Sequence, residues 1–110
     1  MSRQTVSLDP LRTLAHGSIS SAFSAIGSKL ANPVRLICFT NNTDGDMFFS
    51  VDGVNDHIFV AKGSYKLFDL NTNRANVDQY WVFAQGTQFY VAYSTMPSTG
   101  SAYIECLWGQ

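Results

Sequence analysis

The chain has 110 residues, which is the usual size of one domain. Only 14% of its residues are charged and the formal net charge is −1, whereas about 25% charged residues is typical of globular domains. Without a cluster of lysine or arginine to neutralise phosphates, the chain is not expected to bind nucleic acid as its main ligand.

The N-terminal part of the chain has no clear strand pattern. We expect residues 1–17 to form an extended arm that orders on a partner, and residues 18–110 to form the folded domain. Met1–Leu8 lacks the apolar run of a secretory signal, and no segment has the roughly 20 apolar residues that span a bilayer. We therefore expect synthesis in the cytoplasm and no membrane association.

Residues 19–26 fit two patterns. Ile19, Phe23 and Ile26 fall close to helical spacing, but the segment is rich in serine, which competes for backbone hydrogen bonds and weakens helices. An extended strand over Ile19–Ile26 is the prediction, and a helix remains the alternative.

From Val34 onward, short apolar and aromatic runs alternate with turn residues about every ten positions, as is typical of sandwiches. The first two runs are joined by Asn41–Gly45, a turn-forming segment, and predict a hairpin; the third and fourth, joined by Lys62–Ser64, predict another. The fold class is therefore all-β: an antiparallel β-sandwich or jelly roll of about seven or eight strands. The predicted strands are Val34–Thr40, Asp46–Val51, His57–Ala61, Tyr65–Leu70, Gln79–Phe83, Thr87–Tyr93 and Ala102–Trp108.

The two faces of a strand can be separated by alternation. In the last strand, Glu105 shares its face with Tyr103 and Leu107, so this face is predicted to point outward. In the first strong strand, Arg35 shares its face with Ile37 and Phe39, and the same reasoning turns that face outward. The alternative is that Arg35 extends from the strand's end while the chain covers both faces itself.

Large apolar side chains on an outer face usually mark an interface. The weakly charged, aromatic-rich composition also indicates that part of the surface is covered by partners. We therefore expect a homo-oligomer or docking to other proteins. The candidate interface residues are Ile37, Phe39, Tyr103 and Leu107.

No motif for catalysis is present. His16 and His57 are the only imidazoles, and neither lies in a nucleophile motif. Cys38 and Cys106 are too far apart in sequence, and without paired histidines, for a zinc site; we expect two small buried hydrophobes, and whether they approach each other stays open. The sequence thus predicts no enzyme activity, no catalytic residue, no cofactor and no metal.

The remaining site hypotheses are calcium and carbohydrate. Four aspartates lie close together in sequence, but beside turn-forming glycines and without the spacing of a calcium loop, so they are predicted to be turn residues. Carbohydrate binding through exposed aromatics is the main functional alternative to a structural role. The aspartates are Asp44, Asp46, Asp52 and Asp56, and the aromatics are Tyr80, Trp81, Tyr90 and Tyr93.

Several segments of the chain, most of them centred on turns, form a recognisable set. They are Asn32–Leu36, Asn41–Asp46, Ser50–Gly53, Asp56–His57, Gly86–Thr87, Tyr90–Val91 and Pro97–Ile104. Together they resemble a group of small virion proteins of tailed bacteriophages. The resemblance covers roughly residues 18–109 and implies a β-sandwich or jelly-roll subunit that decorates, cements or joins parts of the capsid and neck. It implies the virion as location and the major capsid protein or other virion proteins as partners, and it carries no catalytic residues.

Overall fold

A computed structural model of the chain describes residues 6–69 and 83–109, which form nine β-strands and one 3₁₀ turn. The strands make two antiparallel sheets that pack together, and this confirms the predicted all-β sandwich. The strands are β1 (Val6–Leu8), β2 (Arg12–Ala15), β3 (Ser24–Ala25), β4 (Leu36–Thr43), β5 (Met47–Ser50), β6 (Ile58–Val60), β7 (Ser64–Asp69), β8 (Tyr90–Tyr93) and β9 (Gly100–Gly109), and the 3₁₀ turn is His16–Ser18.

The first sheet has five strands, in the order β1–β9–β4–β7, with β2 also paired to β9. The register places Leu36 opposite Leu107 and Phe39 opposite Ile104. Residues that are directly opposite in an antiparallel pair share a face, so Phe39 and Ile104 point to the same side. Both are fully buried, which identifies this side as the core face.

The second sheet has four strands, in the order β3–β8–β5–β6. Its inner face carries Met47, Phe49 and Val91, all fully buried against the first sheet. Phe39 of the first sheet is the centre of the aromatic core, because its ring centroid lies 5.2 Å from that of Phe49 and 5.8 Å from those of Phe68 and Phe89.

Both predicted hairpins are wrong. β4 belongs to the first sheet and β5 to the second, while β6 belongs to the second sheet and β7 to the first. The turns between them therefore carry the chain from one sheet to the other. At the first crossing, the buried Asn41 side chain donates hydrogen bonds to the carbonyls of Gly45 and Val60 and accepts two from Thr43, so the corner is built around a satisfied amide.

The segment 19–26 is extended where it is regular: β3 covers its last part and pairs with β8. Ile19 and Ile26 are buried in the core. Of the predicted strand Gln79–Phe83, only Phe83 lies within the described residues, where it pairs with Val34. Among the described residues, no helix is long and apolar enough to cross a membrane.

The predicted arm, residues 1–17, is not separate from the sandwich, because β1 and β2 both pair with β9. Leu8 lies opposite Leu107, and Arg12 lies opposite Ile104, so three residues (9–11) face two on β9. This is a one-residue bulge. Without it Arg12 would lie opposite Tyr103 and point outward; with it, Arg12 points into the protein. Residues 1–5 lie outside the described part.

Candidate functional site

The outer face of the first sheet is apolar. The register places Leu8, Leu107 and Leu36 side by side across three strands, and Cys38 beside Leu67 in the next row. A further row contains Tyr103 and Tyr65. Leu8 is 76% exposed, Tyr65 68% and Leu67 55%, while the remaining four are half-exposed. We call this surface the leucine face; its residues are Leu8, Leu36, Cys38, Tyr65, Leu67, Tyr103 and Leu107.

Two of the four predicted interface residues lie on the leucine face. Tyr103 and Leu107 point outward and are half-exposed, as the alternation of β9 predicts. The outward placement of Ile37 and Phe39 is wrong, because both are fully buried in the core. That Tyr103 and Leu107 contact a partner stays a prediction.

The error in β4 has a local cause. The chain bends at Arg35, between the isolated bridge of Val34 and the start of β4 at Leu36. Val34 and Ile37 are both buried although they are three residues apart, so the alternation is interrupted between them. Arg35 lies before the strand and does not set its phase.

The leucine face contains a shallow groove with a carboxylate in its wall. Leu8, Leu36, Cys38 and Leu107 line the groove together with Glu105. Glu105 lies opposite Cys38, and its side chain is exposed. Within the described residues, neither of the two ion pairs involves Glu105. The groove is therefore an apolar channel with an acid at its side, and the described residues supply no ion-pair partner for this acid.

A serine, a histidine and an aspartate meet where β5 ends. Ser50 Oγ donates to Asp52 Oδ1 at 2.9 Å and lies 3.4 Å from His57 Nδ1. A serine nucleophile would donate its proton to the imidazole. Here the buried Ser50 Oγ also accepts the N–H groups of Asp52 and Gly53, and His57 Nδ1 accepts that of Val51. These bonds hold the turn between β5 and β6.

The aspartates act as turn residues, as predicted, at three of the four positions. Asp52 accepts the backbone N–H groups of Asn55 and Val54, and these bonds hold the pKa of its carboxyl well below its usual range. Asp46 accepts the N–H of Lys62, at the second crossing between the sheets. Among the described residues, no group of three or more histidine, cysteine or acidic side chains is placed to hold a metal ion.

Asp44 joins the corner after β4 to the loop before β9. Its carboxylate accepts hydrogen bonds from the Ser98 hydroxyl, the Ser98 N–H and the Thr99 N–H. The bond from the Ser98 hydroxyl is the main cause that lowers the pKa of Asp44 from 3.8 to about 2. Because the folded-state pKa lies below the unfolded one, the carboxylate stabilises the fold above about pH 4, and this contribution disappears as the pH falls towards 2.

We therefore expect Asp44→Asn to lower the free energy of unfolding at neutral pH, with the difference from the unmodified chain shrinking between about pH 4 and pH 2. Urea unfolding of both chains across this range measures it. Asp56→Asn is the matched control, since Asp56 is exposed and no hydrogen bond to its side chain is present in the described part of the chain. A difference for Asp44→Asn that does not change with pH would contradict the assignment.

The two cysteines are free and point to opposite faces of the first sheet. Cys106 is buried, as predicted, and burial raises the pKa of its thiol to about 11. Cys38 lies on the leucine face and is only half-buried, which corrects the prediction of two buried hydrophobes. They lie on neighbouring strands, because Cys38 pairs with Glu105.

The aromatics of the carbohydrate hypothesis do not form one exposed surface in the described residues. Tyr90 and Tyr93 are half-buried, Tyr93 packs against the core, and Tyr90 stands on the opposite face of β8. Tyr80 and Trp81 lie outside the described residues.

Sequence reasoning missed Leu8, Leu36, Tyr65 and Leu67 as members of the leucine face. The alternation that predicts Ile37 and Phe39 on the outer face places Leu36 on the inner one, and Leu8 falls within the predicted arm, residues 1–17. A scan against protein-family models and searches of curated proteins and of solved structures returned no match to this chain.

Proposed function

We propose that this chain is a non-catalytic structural subunit of a tailed-bacteriophage virion, a cement or decoration subunit of the capsid, and that its leucine face is the surface that another virion protein covers. The observation that carries the proposal is the row Leu8–Leu107–Leu36 on a regular sheet, with Leu67 in the next row. Leu8 and Leu67 are exposed, and the other two leucines are half-exposed. The class of particle comes from the resemblance of the turn segments.

The size of the surface supports an interface. β9 is ten residues long and the sheet is four strands wide, so the face measures about 34 by 19 Å at strand spacings. This outline encloses at most about 650 Å², which is of the same order as the roughly 800 Å² that each partner contributes to a stable complex. Removing a few hundred Å² of apolar surface from water contributes several kcal/mol, at about 25 cal/mol per Å².

The regular pairing around the face supports a structural role. Three neighbouring strands hold Leu8, Leu36 and Leu107 at fixed positions, so a partner would meet a rigid surface and would lose little conformational entropy on this side. In a capsid the same contact repeats at every symmetry-related position, and a modest contact free energy is then sufficient for stable attachment.

The test is incorporation into particles. The double variant Leu8→Asp/Leu67→Asp places charges on the two most exposed leucines of the face, and we expect its copy number in purified virions to fall by about tenfold or more. Quantitative mass spectrometry of the particles measures this. Val54→Asp is the control, because Val54 is 77% exposed in the loop after β5 and lies outside the leucine face.

Equal incorporation of the double variant and the control would refute the leucine face as the contact. Absence of the unmodified chain from particles would refute the virion role. Many copies per capsid would support cement, whereas a handful would move the chain to the neck or tail. Self-association in solution, also expected from the sequence, stays a prediction.

A further inference from the structure

We infer that the leucine face binds an apolar segment of a different protein that carries a lysine or arginine, and that this cation pairs with Glu105. The inference rests on the proposed function, since it takes the leucine face as an interface and specifies the chemistry of the occupant.

The first step is the position of Glu105. It lines the same groove as Leu8, Leu36 and Leu107, so a partner that fills the groove also removes water from the carboxylate. Within the described residues Glu105 has no ion-pair partner, so none of these residues compensates that loss. An ionised carboxylate that is buried without a partner costs several kcal/mol. A partner that binds here must therefore supply the positive charge.

The second step excludes another copy of this surface as the occupant. On the outer face of the first sheet the register places the acid Glu105 on β9, and it places no lysine or arginine on that face in β1, β2, β4, β7 or β9. A second copy of this face would therefore bring another Glu105 carboxylate, and none of its strand positions would bring a cation to pair with the first. Like charges in an interface oppose association, whereas a complementary charge favours it.

The third step is the shape of the occupant. Leu8, Leu36 and Leu107 lie in one row, and Leu67 lies at the opposite edge of the next. Apolar side chains on both sides of a basic one can cover this row while the basic side chain reaches Glu105. A long aliphatic stem suits this position, because lysine and arginine pack their methylenes against apolar neighbours.

The experiment uses the full chain and synthetic peptides of about 12 residues, in which leucine and valine flank a central lysine, glutamine or glutamate. We expect the unmodified chain to bind the lysine series about tenfold or more tightly than the glutamate series. Glu105→Gln should remove that preference, and Glu105→Lys should reverse it. Fluorescence anisotropy with labelled peptides measures the three affinities.

Glu105 is exposed, so neither substitution disturbs the core, and circular dichroism checks the fold. Leu67→Asp tests the apolar part, because it should weaken all three series. Equal binding of the lysine and glutamate series, an unchanged preference in Glu105→Lys, or no binding of any peptide would refute the inference. Dimerisation of the chain through the leucine face, measured by sedimentation, would also refute it while leaving the face as an interface. The proposed virion role is decided separately, by incorporation into particles.

Discussion

Replacing Phe39 with alanine is expected to lower the free energy of unfolding by about 3–5 kcal/mol, the usual range for removing a fully buried aromatic ring. The ring is 0% exposed and contacts aromatic rings from three other strands or segments: those of Phe49, Phe68 and Phe89. Its removal forfeits contacts with both sheets at once, and the rigid backbones around it prevent the cavity from closing. Equilibrium unfolding in urea measures the loss.

Phe59→Ala is the matched control for this change. Phe59 is 41% exposed on the outer side of β6, where its ring lies 5.4 Å from that of Phe48, its one ring contact among the described residues. The same atoms are removed, but much of that surface is already in water, so we expect a loss of about 1 kcal/mol. Similar losses for the two variants would show that Phe39 is not the centre of the core.

Replacing Arg12 with methionine is expected to cost about 3–5 kcal/mol, the range for breaking one partner of a buried ion pair. Arg12 Nη2 lies 3.2 Å from Asp9 Oδ2, and both side chains are 5% exposed. The Nε–H also donates to the Ser28 carbonyl at 3.0 Å. Methionine keeps the aliphatic bulk that packs against Gly27, but it leaves the Asp9 carboxylate buried without its cation.

A double-mutant cycle separates the ion pair from packing. Asp9→Asn should cost less than Arg12→Met, because an amide is neutral and tolerates the site without a cation. Once residue 9 is neutral, removing Arg12 no longer leaves a buried charge without a partner. The double variant should therefore lose clearly less free energy of unfolding than the sum of the two single losses. Strict additivity, measured by urea unfolding of all four chains, would mean that the pair does not interact.

The strands themselves could be predicted because each is a short apolar run bounded by turn residues. The last strand is the best case: its alternation assigns Ile104 and Cys106 to the core and Leu107 to the outside, as found. Pairing could not be predicted in the same way. Asp44–Gly45 is a turn signal for a hairpin and equally for a corner between sheets, and only the burial of Asn41 against β6 distinguishes the two.

The predicted orientation of the side chains was wrong where the alternation is interrupted. Arg35 is charged and adjacent to β4, so alternation predicts that Ile37, two residues later, also points outward. The bend at Arg35 interrupts the alternation, and Ile37 is buried. The leucine face could not be predicted either, because it depends on which strands lie next to each other. Leu8 lies 99 residues from its pairing partner Leu107, and Leu67 lies 29 residues from its partner Cys38. No local pattern in a single sequence records which strands become adjacent.

The bulge between β1 and β2 also determines which side chains can meet. In an uninterrupted strand, residues three positions apart project on opposite sides of the sheet, so a carboxylate and a guanidinium with that spacing stay separated by the backbone. The additional residue removes this restriction and lets Asp9 and Arg12 pair. The pair in turn opposes sliding of the terminal segment along β9: a one-residue slip would carry Arg12 away from the Ser28 carbonyl and turn Leu14 from the interior to water. An imperfection in the ladder thus fixes the alignment of the segment that contains it.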